Sequence, residues 1–204
     1  MKTVLLDGAP CVPSKILCIG RNYVAHIEEL GNEIPREMVV FGKPNSAIGD
    51  TLQAQLGGEP LHYEGEIALL IEQGRPAAVG FGLDLTKRAL QSTLKASGLP
   101  WERAKAFDGA ALFSPFSRLK NGCADLSLLL EVNGEIRQQG GVSMMMYPPE
   151  LILQELATFT TLADGDIVMT GTPAGVGAVH AGDRFDGKIF CADELVAEAS
   201  WIAR

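Results

Sequence analysis

No two of the four cysteines (Cys11, Cys18, Cys123 and Cys191) stand in C-x-x-C spacing. A zinc ribbon or a disulfide framework is therefore not expected, and free thiols in a reducing cytoplasm are the simplest account. No apolar run approaches the length of a membrane span. The opening MKTVLLDGAPCVPS carries Lys2, but Asp7 and Pro10 interrupt any apolar stretch, so it does not read as a signal peptide. Positive charge is in deficit: 17 Lys and Arg stand against 25 Asp and Glu, for a formal charge of -8. A basic stripe for nucleic acid is thus disfavoured. An anionic substrate is not, because a bound divalent cation inverts the local field. The sequence also lacks charge-rich or low-complexity tails, which argues against long disorder.

Of the 204 residues, 47% are hydrophobic, enough for one compact domain with a sizeable core. Short apolar runs at KILCIG (15–20), MVVFGKP (38–44), HYEGEIALLI (62–71) and VGFGLDL (79–85) read as strands, the last two joined by EQGRPAA. RNYVAHIEEL (21–30) has helical character, closed by Pro35. A second helix is expected from Thr86 to Ala96, stopped by Gly98 and Pro100. DLSLLLEVNGEIRQQG alternates through Leu126, Leu128, Leu130 and Val132 into Asn133-Gly134, a hairpin signal. YPPELILQELATFT (147–160) reads as a helix with Ile152, Leu156 and Phe159 on one face. Many strands, few helices and no regular βαβ series predict a mixed, β-rich α+β fold.

Glu64 and Glu66 flank Gly65, and residues i and i+2 of a strand project to one face. Two carboxylates side by side repel unless water or a cation separates them, and oxygen ligands suit Mg²⁺ or Mn²⁺. Asp84, after VGFGL, is a natural third ligand. By spacing alone, the E-x-E pair fits a solvated sheet face equally well. Lys105, in WERAKAFDG, has the chemistry to hold a substrate carboxylate or an enolate oxygen, or to form a surface ion pair. Lys43, in VVFGKPNS, either enters the same pocket or ends its strand. His26 and Glu29 share a helix face, as a water-activating pair or as a surface contact. VMTGTPAGVG lacks the lysine of a nucleotide-binding loop and reads as a backbone cradle for an anion or as a structural turn.

Together the segments CIGRNYVAHIEEL, VVFGKP, HYEGEIALLI, LDLTKRALQ, WERAKAFDG, VNGEIRQ and GDIVMTGTPAGVG resemble the fumarylacetoacetate hydrolase family, in family order across roughly positions 16–183. The resemblance implies a β-roll core with peripheral helices: an edge segment at 1–15, then a single catalytic domain at 16–204. It also implies a homodimer using Mg²⁺ or Mn²⁺. The carboxylate triad maps to Glu64, Glu66 and Asp84, and the general-base pair to His26 and Glu29. Lys105 maps to the substrate-side lysine. Arg21, Lys43, Arg88, Gln91 and Thr172 map to polar positions around the substrate. One departure stands out: the interval from Glu66 to Asp84 is shorter than the family's common helical insert. With no large N-terminal domain ahead of the core, the pattern is nearest the smaller, acylpyruvate hydrolase-like branch.

That branch implies a small anionic 2-oxo acid as partner. Cleavage of an acylpyruvate-type 2,4-dioxo acid into pyruvate and a carboxylic acid is the first expectation. His26 would activate water, and Lys105 would stabilise enolate charge. Decarboxylation or keto–enol tautomerisation of oxaloacetate is the alternative, since one fold hosts all three reactions. A non-catalytic ligand-binding member is the remaining reading.

Overall fold

The computed structural model describes residues 1–29 and 37–204, so the turn expected at Pro35 lies outside the described residues. The chain opens with a small hairpin of β1 (Val4–Leu6) and β2 (Ala9–Cys11), then enters β3 (Lys15–Gly20) and helix α1 (Val24–Glu29). β4 (Val39–Pro44) follows. The central hairpin is β5 (Gly65–Glu72) and β6 (Arg75–Asp84). Helices α2 (Arg88–Ala96) and α3 (Glu102–Lys105) lead to β7 (Ala111–Phe113). A second hairpin, β8 (Leu126–Val132) and β9 (Glu135–Gly141), precedes α4 (Pro149–Leu156), β10 (Ile167–Met169), β11 (Arg184–Cys191) and β12 (Glu194–Ile202). The result is the expected mixed, β-rich architecture with peripheral helices. No helix among the described residues is long and apolar enough to cross a membrane.

Two sheets carry the fold. The larger runs β7-β6-β5-β10-β3-β4, with the short strand Ser117–Arg118 also pairing with β6. The smaller runs β9-β8-β11-β12. Every pairing within these two sheets is antiparallel except β10 with β3. β5 is buried on both faces up to its last residue, as a central strand covered on either side should be. Phe81 of β6 projects toward the smaller sheet, where Gly187 of β11 leaves the space its ring fills. The Trp201 ring lies 6.2 Å beyond. A side chain at position 187 would overlap that ring, so glycine there sets how closely the sheets approach.

Three expectations are refined. EQGRPAA is not a seven-residue link. Gln73 (φ 51°) and Gly74 (φ 70°) alone turn the chain, and Arg75 already belongs to β6. This two-residue turn with both φ positive matches the twist of the strands it joins, so the short interval is a tight hairpin. Asn133 (φ 55°) and Gly134 (φ 81°) turn the second hairpin in the same way, as predicted. The helix read across 147–160 is shorter. It ends at Leu156, so Ile152 and Leu156 are buried while Phe159, past the helix, is 61% exposed.

Asp166 begins the run into β10 and fastens the sheet's one parallel pair. Its fully buried carboxylate accepts from the Ser14 amide (3.0 Å), Ser14 Oγ (2.6 Å), the Lys15 amide (3.1 Å) and the Ala163 amide (2.9 Å), and it pairs with Lys15 Nζ. Burial pushes the carboxyl up, but these hydrogen bonds outweigh it and hold the group below its usual range. A depressed folded-state value means stability that is complete above the unfolded carboxylate range and lost as pH falls through the folded value. Asp166→Asn is predicted to cost about 2 kcal/mol at neutral pH, because buried donors lose their charged acceptor. In urea unfolding the native–variant gap should close below about pH 4. A gap that stays constant down to pH 2 would show that the charge of Asp166 contributes nothing.

Candidate active site

The central hairpin places the acidic residues. Gly65 pairs with Leu83 and Glu66 with Gly82, and the Asp84 amide donates to the Glu64 carbonyl at 2.8 Å. In this register Asp84 lies opposite Glu64, with Glu66 two residues along the same face. One carboxylate oxygen from each of the three can be chosen so that all lie within 4.8 Å of one another. All three residues are buried, so the solvated-face reading of the E-x-E pair is excluded.

Cations balance this charge. Lys105 Nζ reaches Glu64 Oε2 and Asp84 Oδ2 at 2.8 Å each, and Thr86 Oγ1 at 2.6 Å. Lys43 Nζ lies 2.8 Å from Asp84 Oδ1 and donates to the Lys105 carbonyl. Arg88 donates to Glu64 Oε1, and its other terminal nitrogen donates to Gln91 Oε1 at 2.8 Å. Both lysines are buried, which removes the surface-ion-pair reading of Lys105. Burial alone would raise the Glu64 carboxyl, but Lys105 and Arg88 outweigh it and hold Glu64 well below the usual carboxylate range. Burial likewise disfavours the Lys105 ammonium, yet the charges of Asp84 and Glu64 raise its pKa. Glu66 moves the other way. Burial and the neighbouring Asp84 and Glu64 charges push it up, against a 2.7 Å hydrogen bond from the Gly171 amide.

This donor set fits a hard divalent cation. Three converging carboxylates supply only oxygen. Asp84 Oδ1 is buried without a hydrogen bond, with the Lys43 ammonium beside it as an ion-pair partner at 2.8 Å. A buried carboxylate oxygen lacking a donor is an available ligand atom.

The glycine-rich loop after β10 holds the site's other side. Gly171 has φ 99°, and a side chain there would strike Asn22 and the Ile19 carbonyl. Glycine thus lets the loop backbone come close enough to cap Glu66. Thr172 Oγ1 donates to the Gly65 carbonyl (2.8 Å) and accepts from Gln138 Nε2 (2.7 Å). Gln138 Oε1 in turn accepts from the Gly65 amide at 2.8 Å. His26, buried on α1, holds Glu29 Oε2 through Nδ1 at 3.2 Å, and Glu29 Oε1 accepts from the Gly175 amide at 3.0 Å.

The carboxylates open on a narrow cleft. Arg21, His26, Arg88, Gln91, Lys105 and Thr172 line it with Glu64, Glu66 and Asp84. Nine of the eleven residues singled out in the sequence therefore meet at one cleft. Glu29 stands behind His26, and Lys43 stands behind Asp84, both off the lining. Gln138 and Asn22 escaped sequence reasoning. Asn22 ties the Tyr147 and Thr170 carbonyls at 2.9 and 2.8 Å, and nothing in its local sequence announces contacts so distant in the chain.

Comparison with known proteins agrees with this architecture. The family described as fumarylacetoacetate (FAA) hydrolase C-terminal matches residues 15–197. The oxaloacetate tautomerase YcgM of Escherichia coli (strain K12) is 40% identical over 197 residues, which cover 85% of this chain and 89% of that protein. The mitochondrial oxaloacetate tautomerase FAHD1 of Arabidopsis thaliana is 38% identical over 195 residues, covering 86% of each. The solved structure of fumarylpyruvate hydrolase from Pseudomonas aeruginosa, in complex with Mn²⁺ and pyruvate, superposes with a TM-score of 0.89 at 30% identity, covering 99% of this chain and 95% of that one. The chain belongs to the fumarylacetoacetate hydrolase family, and it is an enzyme.

If Lys105 is the main counter-ion of the cluster, Lys105→Met leaves two buried carboxylates short of charge. Without divalent metal, the variant is predicted to lose about 3 kcal/mol of stability. Saturating Mg²⁺ should recover most of the loss, because the cation binds only the folded state. Thermal melts with chelator and with Mg²⁺ check both points. An equal deficit in the two conditions would refute the shared-carboxylate arrangement.

Proposed function

We propose that this enzyme interconverts the keto and enol forms of oxaloacetate, with Mg²⁺ or Mn²⁺ held by Glu64, Glu66 and Asp84. The observation that carries the reading is a buried three-carboxylate cluster sharing one cleft with a lysine and a carboxylate-oriented histidine. Similarity to oxaloacetate tautomerases supports this reaction over the acylpyruvate cleavage that the sequence put first.

The bound cation would act as a Lewis acid on the 2-oxo acid. The remaining work belongs to side chains. Glu29, held by the Gly175 amide, accepts from His26 Nδ1 and so leaves Nε2 toward substrate. His26 Nε2 takes a proton from C3 as the C2–C3 double bond forms, and the 2-oxo oxygen gains a proton from water while the Lys105 ammonium keeps its charge. Lys105 Nζ, already aligned by Thr86, supplies the positive charge that the developing enolate oxygen requires. Arg88 and Gln91 orient the substrate carboxylate from α2. The reverse sequence returns the keto form, so no atom is lost.

The same His26–Glu29 pair gives acylpyruvate hydrolysis a specific claim, because the imidazole is equally placed to take a proton from water. The likeness to a fumarylpyruvate hydrolase adds to it. Four free thiols support a reducing, cytoplasmic setting. The family resemblance supports a homodimer, to be read by sedimentation.

Fresh enol oxaloacetate mixed with Mg²⁺-loaded enzyme should lose enol absorbance faster than buffer alone, and its C3 protons should exchange in D₂O without CO₂ release. His26→Ala is expected to slow this about 100-fold while metal binding survives. Acetate and pyruvate formed from acetylpyruvate, with little enol–keto exchange, would transfer the assignment to the hydrolase. CO₂ with pyruvate would transfer it to a decarboxylase. Tight Mg²⁺ binding without turnover of any 2-oxo acid would leave a silent ligand-binding member.

A further inference from the structure

Lys95 received no role from motif or spacing, yet it lines the same cleft. It stands seven residues after Arg88 and four after Gln91 on α2, so the three share a helix face. Two turns of helix set its Cα about 10 Å from that of Arg88 along the axis. Its Nζ lies 6.0 Å from the centroid of the Trp101 ring, and Trp101 packs on Phe41 at 5.8 Å. Phe41 in turn faces Lys105 Nζ at 5.1 Å. The cleft therefore has an aromatic wall of Phe41 and Trp101, with the Lys105 ammonium over the first ring and the Lys95 ammonium by the second. Arg21, held at φ 58° where β3 ends, lines it as well.

We propose that Lys95 is a specificity residue that binds the second carboxylate of a short 2-oxo dicarboxylate. The inference rests on the reading above, which puts the substrate's 2-oxo acid end at the carboxylate cluster and Lys105. Burial lowers the Lys95 pKa, and the charges of Arg21 and Arg88 lower it further against the pull of Glu64. An anion arriving among these cations relieves their mutual repulsion, so a second carboxylate gains more here than on an open surface. A monocarboxylate such as pyruvate leaves Lys95 without this interaction, and that difference is what creates selectivity.

Binding can test this without turnover. The ligands are 3,3-difluoro-oxaloacetate, which has no C3 proton to transfer, and pyruvate. Each is titrated into Mg²⁺-loaded protein, with Trp fluorescence and calorimetry as readouts. The native enzyme should prefer the dicarboxylate, and Lys95→Met should cut that preference about tenfold. Lys95→Arg should retain most of it. A preference that Lys95→Met leaves intact overturns the proposal. So do equal losses for both ligands, which would mark a packing role, or a native enzyme with no preference. A Lys95-dependent preference in an enzyme that fails to exchange enol and keto forms would sustain this inference and reject the proposed reaction.

Discussion

Three buried carboxylates with oxygens within 4.8 Å of one another are the constraint the rest of this structure answers to. Bringing such charges out of water is costly unless opposite charges accompany them. Here Lys43, Lys105 and Arg88 do so, each from a different element: β4, the end of α3 and the start of α2. The packing of those elements around the central hairpin is therefore also an electrostatic requirement. It explains why two lysines, residues that seldom lie fully buried, are found in the interior. It also makes the site responsive. Lys105 and a divalent cation would compete for the negative charge of Glu64 and Asp84, so an incoming cation would loosen the ammonium's hold and leave it available to another anion.

The smaller sheet and the glycine-rich loop provide the rigidity this balance needs. Gln138, on β9, bridges the Gly65 amide and Thr172, so a strand of the second sheet fixes the backbone between the two glutamates. Gly171 fixes Glu66 and Gly175 fixes Glu29. One loop thereby aligns a carboxylate of the acidic cluster and the carboxylate that orients His26. At Gly175 (φ 102°) a side chain would overlap the Arg137 carbonyl on β9, so loop and sheet are in register only because that position is bare.

Much of this was legible in the sequence because the signals are local. The i, i+2 spacing of Glu64 and Glu66, the i, i+3 spacing of His26 and Glu29, and the Asn133-Gly134 turn each need only short-range geometry. What escaped is non-local. Asn22 reaches residues more than 120 positions away, and Gln138 reaches 73 back and 34 forward. No periodicity encodes such partners. The burial of Lys43 and Lys105 was equally invisible, since a lysine's environment depends on which carboxylates the fold brings to it. Lys95 is the intermediate case. Its i+7 relation to Arg88 was readable, but it acquires meaning only when that helix face is seen to line the cleft.

The choice among reactions within such a site turns on where protons and charge are placed, since the carboxylate cluster serves them all. Tautomerisation requires one base at C3 and one cationic partner at the oxygen, and it keeps the substrate whole. Hydrolysis also requires room for water between His26 and a distal carbonyl. If Lys105 and Lys95 hold the two ends of a dicarboxylate as proposed, C3 is fixed between them and that room is limited. On that proposal, selectivity for a short dianion and preference for proton transfer over water attack would be two results of one arrangement, with the carbon to be deprotonated beside an imidazole whose orientation Glu29 and Gly175 determine.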